Sequence, residues 1–112
     1  MANASTSTMS EVESTLQRIH KHPGVLGIII AQNEGKGTRW IPTDEENPVI
    51  KQREAYSTYC SAVAQQARSA VRDLDPLDDL KFMRIRTKKV EIMIAPEKEY
   101  TIICIQDPTQ AK

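Results

Sequence analysis

The chain has 112 residues, 39% of them hydrophobic, which is typical of one compact domain. Fifteen basic and fifteen acidic residues give a formal net charge of zero. This balance disfavours a nucleic-acid binder, because such proteins need excess positive charge to neutralise phosphates. The polar N-terminus lacks the basic and apolar regions of a signal peptide, and no apolar run approaches the roughly 20 residues of a membrane-spanning helix. We therefore expect a soluble intracellular protein.

The N-terminal segment predicts a tail followed by a helix. Residues 1–9 are small and polar with nothing to bury, so we expect them to be disordered. Ser10 and Glu13 have the spacing of a capping box, in which each side chain accepts a hydrogen bond from the other residue's backbone amide. We expect one domain over residues 10–108, which begins with this helix, and a short C-terminal tail at residues 109–112.

Two strands are predicted next. Residues 25–31 (VLGIIIA) are apolar at nearly every position, which is typical of a strand covered on both faces in the middle of a sheet. Residues 38–41 (TRWI) predict a short strand, and Pro42 after it fits a sheet edge because proline donates no backbone hydrogen bond. The glycine-rich turn between the two runs predicts a hairpin.

A long helix is predicted in the middle of the chain. Asn47 and Pro48 indicate its start, as N-cap and first helical residue, and Pro76 indicates its end near Leu74. Its apolar positions form one wide stripe: Tyr56, Tyr59, Cys60, Val63, Ala67, Ala70, Val71 and Leu74. To one side, small residues recur every seven positions: Ala55, Ala62 and Ser69. Such a line lets another backbone approach closely, although alanine also occurs simply because it favours helices.

Three further strands follow the long helix. Residues 78–86, 90–95 and 100–105 have strand patterns, and charged turns separate them. The last of the three is apolar on both faces, so we place it centrally. The element order α-β-β-α-β-β-β predicts an α/β sandwich with one five-stranded, mostly antiparallel sheet. The two doubly covered strands predict helices on both faces of that sheet.

No group of residues has the pattern of a catalytic or cofactor site. His20 and His22 are two positions apart, which places them on different faces of a helix and makes them poor joint metal ligands. The acidic stretch of residues 73–79 lacks the central glycine and closing glutamate of a calcium loop, so a solvated turn fits better. Cys60 and Cys104 fit buried free thiols better than a disulfide. We expect no catalytic activity, no cofactor and no metal.

The third-from-last strand has features of an interface. This strand and its turn carry a basic cluster of Lys81, Arg84, Arg86, Lys88 and Lys89. Such charges can protect a sheet edge against unwanted pairing. The apolar Phe82, Met83 and Ile85 instead suit an edge that pairs with its own copy in a closed dimer, with the two long helices side by side. The predicted dimer interface comprises Ala55, Ala62, Ser69, Lys81, Phe82, Met83, Arg84 and Ile85.

Several segments of the chain are distinctive as sequence motifs. The longest series lies in the C-terminal part: Val71-Arg72-Asp73-Leu74-Asp75-Pro76, Arg84-Ile85-Arg86, Glu91-Ile92-Met93, Lys98-Glu99-Tyr100 and Ile105-Gln106-Asp107-Pro108. Two more lie nearer the N-terminus: His22-Pro23-Gly24-Val25 and Asn33-Glu34-Gly35. Together these segments resemble the roadblock-type light chains of dynein. The resemblance therefore covers nearly the whole chain.

This resemblance implies a roadblock-like fold that forms a homodimer, or a heterodimer with another roadblock-type light chain, with a sheet continuous through both subunits. It further implies that the dimer binds a segment of the dynein intermediate chain and helps to assemble the cargo-binding base of cytoplasmic or axonemal dynein. The implied location is the cytoplasm and the cytoskeleton, including the axoneme of a cilium or flagellum. No catalytic residue comes with the family.

Two functions remain open at this point. The first is a dynein light chain, and the alternative is a roadblock-type scaffold that regulates a small GTPase, because proteins of one fold serve different functions. Trp40, Tyr56 and Tyr59 are candidate anchors for the intermediate chain, since large aromatic rings dominate interfaces. A buried place in the core suits Trp40 equally well. We expect neither nucleic-acid binding nor membrane insertion.

Overall fold

The structure, a computed structural model, describes residue 18 and residues 24–32, 38–42 and 46–108. Its elements are the strands β1 (Val25–Gln32) and β2 (Thr38–Pro42), a 3-10 turn (Ile50–Gln52), the helix α1 (Arg53–Leu74), and the strands β3 (Met83–Arg86), β4 (Glu91–Pro96) and β5 (Tyr100–Gln106). The helix predicted from Ser10 lies outside the described residues except for Arg18, which is helical and exposed. The two predicted tails and the glycine-rich turn also lie outside them.

The strands form one antiparallel sheet in the order β2-β1-β5-β4-β3. Strand β5 lies at its centre, between β1 and β4. The apolar runs of β1 and β5 explain these positions, because an internal strand buries the side chains on both of its faces. The prediction that these two strands are internal is confirmed, and so is a mixed α/β fold with one antiparallel sheet and a long helix.

Helix α1 packs against one face of the sheet. Its buried residues, Cys60 and Ala64, join a core cluster to which the strands and turns contribute Ile29, Ala31, Val90, Ile92, Ile94, Ile103 and Ile105. The two helical side chains are small, which permits a close approach of the helix to the sheet. The β-branched isoleucines suit the pleated surface that faces them. Within the described residues, no helix is long and apolar enough to cross a membrane.

A second core cluster lies on the opposite face of the sheet. Its buried residues are Val25, Ile28, Ile30 and Cys104, and Ile41, Met93, Tyr100 and Ile102 pack against it. Ile28 and Ile29 are adjacent in β1 and are both fully buried, which shows that this strand is covered on its two faces. The helix predicted for this second face falls outside the described residues, so helices on both faces stay a prediction.

The α-helix begins later than predicted. The Asn47 side chain accepts a hydrogen bond from the Val49 amide, with 2.8 Å between N and Oδ1. The chain then forms the 3-10 turn, in which Ile50 is fully buried, and α1 starts only after that turn. The prediction of an α-helix from Pro48 was wrong, because the Asn47 side chain closes a local turn instead of capping the helix. The predicted end at Leu74 is confirmed.

Strand β3 is shorter than the predicted run of residues 78–86, because pairing with β4 begins only at Met83. Asp78 Oδ1 accepts a hydrogen bond from the Asp79 amide, and Asp79 Oδ1 accepts one from the Leu80 amide, both at 2.8 Å. These local bonds from side chain to backbone compete with the extended ladder. They explain why the strand prediction was wrong for its first five residues.

Candidate protein-interaction surface

One flank of α1 faces away from the sheet and carries small and apolar side chains. We call it the α1 flank and define it as Ala55, Tyr59, Ala62, Val63, Gln66, Ser69 and Ala70, all of which are exposed. Their spacing of three, four and seven positions forms a continuous strip along the helix. Tyr59 is 71% exposed and Val63 is 41% exposed, so the strip presents large apolar groups to solvent. The other exposed flank is polar, with Glu54, Thr58, Gln65 and Arg72.

The apolar stripe of α1 is therefore divided. Cys60 is buried, and Tyr56, Ala67 and Val71 are half-buried. The remaining positions of the stripe are exposed: Tyr59, Val63, Ala70 and Leu74. A stripe of eight positions covers more of the circumference of a helix than one sheet face can bury. The line of Ala55, Ala62 and Ser69 lies in the exposed α1 flank, and its role in a dimer stays a prediction.

The outer edge of β3 is open. Within the described residues, β3 pairs with β4 alone. Met83 and Ile85 are half-buried and pack against the core cluster beside α1, whereas Arg84 and Arg86 alternate with them and are exposed. The backbone amides and carbonyls on the outer side of this strand are thus a template for pairing with another strand.

The opposite edge of the sheet, β2, is less suited to pairing. Pro42 lies in β2 opposite Gly27. Proline has no backbone N–H, so β2 cannot donate a backbone hydrogen bond to an added strand at this position. Strand β3 contains no proline. Of the two edges, β3 is therefore the better template for an added strand.

An ion pair attaches the segment between α1 and β3 to the helix. Arg68 Nε and Nη2 lie 2.9 Å from Oδ1 and Oδ2 of Asp79, and Arg72 Nη2 lies 3.4 Å from Oδ2. The hydrogen bonds from Arg68, helped by the Leu80 amide, hold the pKa of the Asp79 carboxyl well below its usual range. We did not predict this pair, since the acidic stretch had the composition of a solvated turn. The spacing of Arg68 and Arg72, four apart on one helix face, was the available signal.

The same segment presents two large apolar side chains to solvent. Leu77 is 97% exposed, and Phe82, which directly precedes β3, is 53% exposed. Lys81 beside it is exposed too. Phe82 and Lys81 belong to the predicted dimer interface, and the structure places both next to the open edge. Phe82 therefore presents an apolar ring to solvent directly beside the open edge.

The chain matches the Roadblock/LC7 domain over residues 11–107. It belongs to the Roadblock/LC7 domain family. The match covers nearly the whole chain and confirms the roadblock family that the sequence resemblance indicated. Roadblock domains in general dimerise and bind partner proteins. The open β3 edge and the exposed α1 flank are the candidate surfaces for such contacts.

The three candidate aromatic anchors of this Roadblock domain differ in environment. Tyr59 lies exposed in the α1 flank. Tyr56 is half-buried and packs against the core cluster, and burial raises the pKa of its phenol, with a smaller contribution from Cys60. Trp40 lies in β2 opposite Ile29, and its side chain is outside the described part of the structure. Among the aromatic side chains that the structure describes, Tyr59 is thus the most exposed.

The two cysteines are buried free thiols, as predicted. Burial raises the pKa of both thiols, that of Cys104 to about 11. A nucleophilic cysteine needs a lowered pKa, so neither thiol is activated for covalent chemistry. Among the described residues of this Roadblock domain, no cluster of three or more histidine, cysteine or acidic side chains could hold a metal ion.

Proposed function

We propose that this Roadblock protein is a non-catalytic light chain of dynein, which dimerises and binds the dynein intermediate chain. The observation that carries the proposal is the open β3 edge beside an exposed, apolar α1 flank. A flank with Tyr59 and Val63 exposed is costly to leave in water and favours burial against a protein partner. The dynein-like segments from Glu91 to Tyr100 favour the motor over other Roadblock functions.

The proposed dimer forms by antiparallel pairing of β3 with the β3 strand of a second subunit. This pairing satisfies the outer amides and carbonyls of β3 and makes one sheet continuous through both subunits. Helix α1 of each subunit then lies on the same sheet face, with the Ala55, Ala62 and Ser69 lines of the two helices towards each other and Tyr59 beside this contact. The small side chains of Ala55, Ala62 and Ser69 permit close contact between the helices. The second subunit is a copy of this chain or another roadblock-type light chain.

The proposed partner of the dimer is a segment of the intermediate chain, bound as an amphipathic helix or an added strand. Tyr59 is the proposed anchor, because an exposed aromatic ring on a rigid helix contributes a large contact area at low entropic cost. Tyr56 contributes indirectly by supporting the helix against the core. The place of action is the cytoplasm and cytoskeleton, in cytoplasmic dynein or in the axonemal dynein of a cilium.

A direct binding experiment tests this function. The purified chain is titrated with recombinant segments of dynein intermediate chain that together cover its length, and the affinity is measured by isothermal titration calorimetry. We expect binding that Tyr59→Ala weakens at least about tenfold, as for an interface anchor. Thr58→Ala, an exposed neighbour on the polar flank, is the matched control and should leave the affinity within about twofold.

Two results would contradict the proposal. One is a folded, dimeric chain that does not bind any of the intermediate-chain segments. The other is binding to a small GTPase that depends on its bound nucleotide, which would support the regulatory scaffold instead. The GTPase arm uses the same chain and calorimeter, with the GTPase loaded with GDP or with a non-hydrolysable GTP analogue.

A further inference from the structure

We propose that the dimer carries a cationic seam on the sheet face opposite to α1, and that this seam binds an acidic peptide segment of a partner protein. We define the seam as Arg84 and Arg86 from both subunits. The inference rests on the proposed pairing of β3 with a second copy. It adds a binding surface that is separate from the α1 flank, because it lies on the other face of the sheet.

Positive charge is concentrated around β3. Residues 81–91 contain five basic side chains and one acidic side chain, a net charge of +4 within a chain whose net charge is zero. Lys81, Arg84, Arg86, Lys88 and Lys89 are all exposed. Pairing of two β3 strands would bring two such segments together and double the local charge to about +8.

The register of the sheet determines where the two arginines point. Arg84 lies opposite Met93, and Arg86 lies opposite Glu91. Met93 packs against the second core cluster, on the face opposite to α1. Side chains that are directly opposite in a sheet share a face, so Arg84 and Arg86 also lie on that face. Met83 and Ile85 point the other way and pack beside α1.

The symmetry of antiparallel pairing then brings like charges together. Directly opposed residues on two antiparallel strands share a face, so an arginine of one β3 can be opposed only by an even-numbered position of the other β3. Arg84 and Arg86 are the even-numbered positions of the strand. Each permitted register near the strand centre therefore places arginine opposite arginine across the two-fold axis, with Cβ atoms about 5 Å apart.

Within the part of the chain that the structure describes, the seam lacks enough carboxylates to neutralise itself. Glu91 forms an ion pair with Arg84, with 3.0 Å between Oε2 and Nε, and it is the one acidic residue of this hairpin face. Four guanidinium groups therefore share two carboxylates in the dimer. Like charges opposed across strands are destabilising, and guanidinium groups bind carboxylates with paired hydrogen bonds. Carboxylates from a partner would relieve this repulsion.

The shape of the charged area favours one extended peptide. Lys88 and Lys89 lie in the turn at the end of β3, so a pair of antiparallel strands places these lysines at opposite ends of the seam. At about 3.3 Å per residue, the two turns are roughly 20–26 Å apart, the span of six to eight extended residues. The charges follow a narrow line along paired strands, which fits an acidic segment laid across the two-fold axis.

Fluorescence anisotropy with a defined probe tests the seam. A fluorescein-labelled octaglutamate peptide is titrated with the full chain at 50 mM salt, and sedimentation velocity in the same buffer gives the oligomeric state. We expect the dimer to bind the peptide, and Arg86→Gln to weaken binding at least about tenfold while the protein stays dimeric. Lys51→Gln removes one exposed positive charge from the 3-10 turn and should change the affinity less than about twofold.

Several outcomes would overturn the inference. A dimer that does not bind the peptide would contradict the seam alone, whereas a wild-type chain that sediments as a monomer would contradict the proposed dimer as well. Equal losses for Arg86→Gln and Lys51→Gln would show binding by overall charge. If the Ala62→Glu variant is monomeric and binds the peptide as tightly as the wild type, the β3–β4 hairpin of one subunit is sufficient for binding and the seam between two subunits is not required. Tighter binding to phosphatidylserine vesicles, lost in Arg86→Gln, would assign the seam to a membrane instead.

Discussion

The guanidinium of Arg68 and the carboxylate of Asp79 form two parallel hydrogen bonds of 2.9 Å each. Arg68 is on α1, and Asp79 is on the segment that leads into β3, so the pair connects the helix to the segment before the open edge. Their side chains are 18% and 34% exposed, which makes the pair more sheltered than an ordinary surface ion pair. We infer that it holds the β3 edge in a fixed position relative to the α1 flank.

Removing the charge of Asp79 should loosen this connection. Asp79→Asn keeps the shape of the side chain but loses the charge-assisted bidentate pair with Arg68. We expect the melting temperature to fall by about 2–5 °C and the dimer to weaken at the same time. Differential scanning calorimetry and sedimentation velocity measure the two effects. Glu99→Gln, at an exposed position in the turn between β4 and β5, is the control and should change neither; an equal effect there would show a general charge effect.

The same ion pair predicts a pH dependence. The pKa of Asp79 is lowered in the folded state from its ordinary value of 3.8, so its stabilising effect is complete above that value. The effect is lost as the pH falls below 3.8, because the Asp79 carboxyl is protonated at a higher pH in the unfolded chain than in the folded one, and protonation then favours unfolding. The difference in unfolding free energy between wild type and Asp79→Asn should therefore be constant near neutral pH and shrink below about pH 4. Urea titrations at several pH values measure this difference, and one that grows in acid would contradict the assignment.

A carboxylate on the α1 flank should break the proposed dimer. In Ala62→Glu, two-fold symmetry brings both new charges into the helix contact, where they lose water and repel each other. We expect the dissociation constant to rise at least about a hundredfold, measured by analytical ultracentrifugation. Gln65→Glu adds the same group to the exposed polar flank and should remain dimeric. Dimerisation of Ala62→Glu at the wild-type concentration would exclude the α1 flank from the interface.

Two proline substitutions test the β3 edge. Successive residues of a strand direct their amides to opposite sides, so one of Met83→Pro and Arg84→Pro removes a donor to β4 and the other removes a donor from the open edge. We expect one variant to lose stability in thermal melts. The other should keep its circular dichroism spectrum but sediment as a monomer. Two folded dimers would show that the open edge takes no part in assembly.

The two thiols should be unreactive in the native protein. Burial raises the pKa of Cys104 from 9.0 to about 11, which lowers its thiolate fraction about a hundredfold at neutral pH. Burial also raises the pKa of Cys60. Ellman's reagent should label almost no thiol in the native chain within minutes and two thiols after unfolding in guanidinium chloride. Fast labelling of the native chain would show that a thiol is accessible.

The internal strands and the end of the helix could be predicted from local sequence. Ile28, Ile29 and Ile30 are consecutive and apolar, and a short run of this kind is typical of an internal strand that is buried on both faces. Pro76 likewise indicated the helix end two residues earlier, since proline cannot continue a helix. In both cases one property of neighbouring residues determines the local structure.

The features that were missed depend on contacts between distant parts of the chain. The side chain of Asp79 could have remained in solvent, but it turns back to Arg68, eleven residues earlier. Tyr59 and Cys60 are neighbours in one apolar stripe, and only the position of the sheet decides that Cys60 is buried and Tyr59 exposed. The residues of the proposed interface would be complementary to a partner, so the sequence of one subunit does not identify the surface that packs against them.

The proline in β2 also bears on the size of the proposed assembly. A sheet with two open edges could add subunits at both ends and grow into a filament, as cross-β fibres do. Pro42 disfavours addition at β2, so addition is favoured at β3. In the proposed dimer the two remaining edges are both β2, which favours an assembly of two subunits. Pro42 would thereby favour a closed dimer over an open-ended polymer.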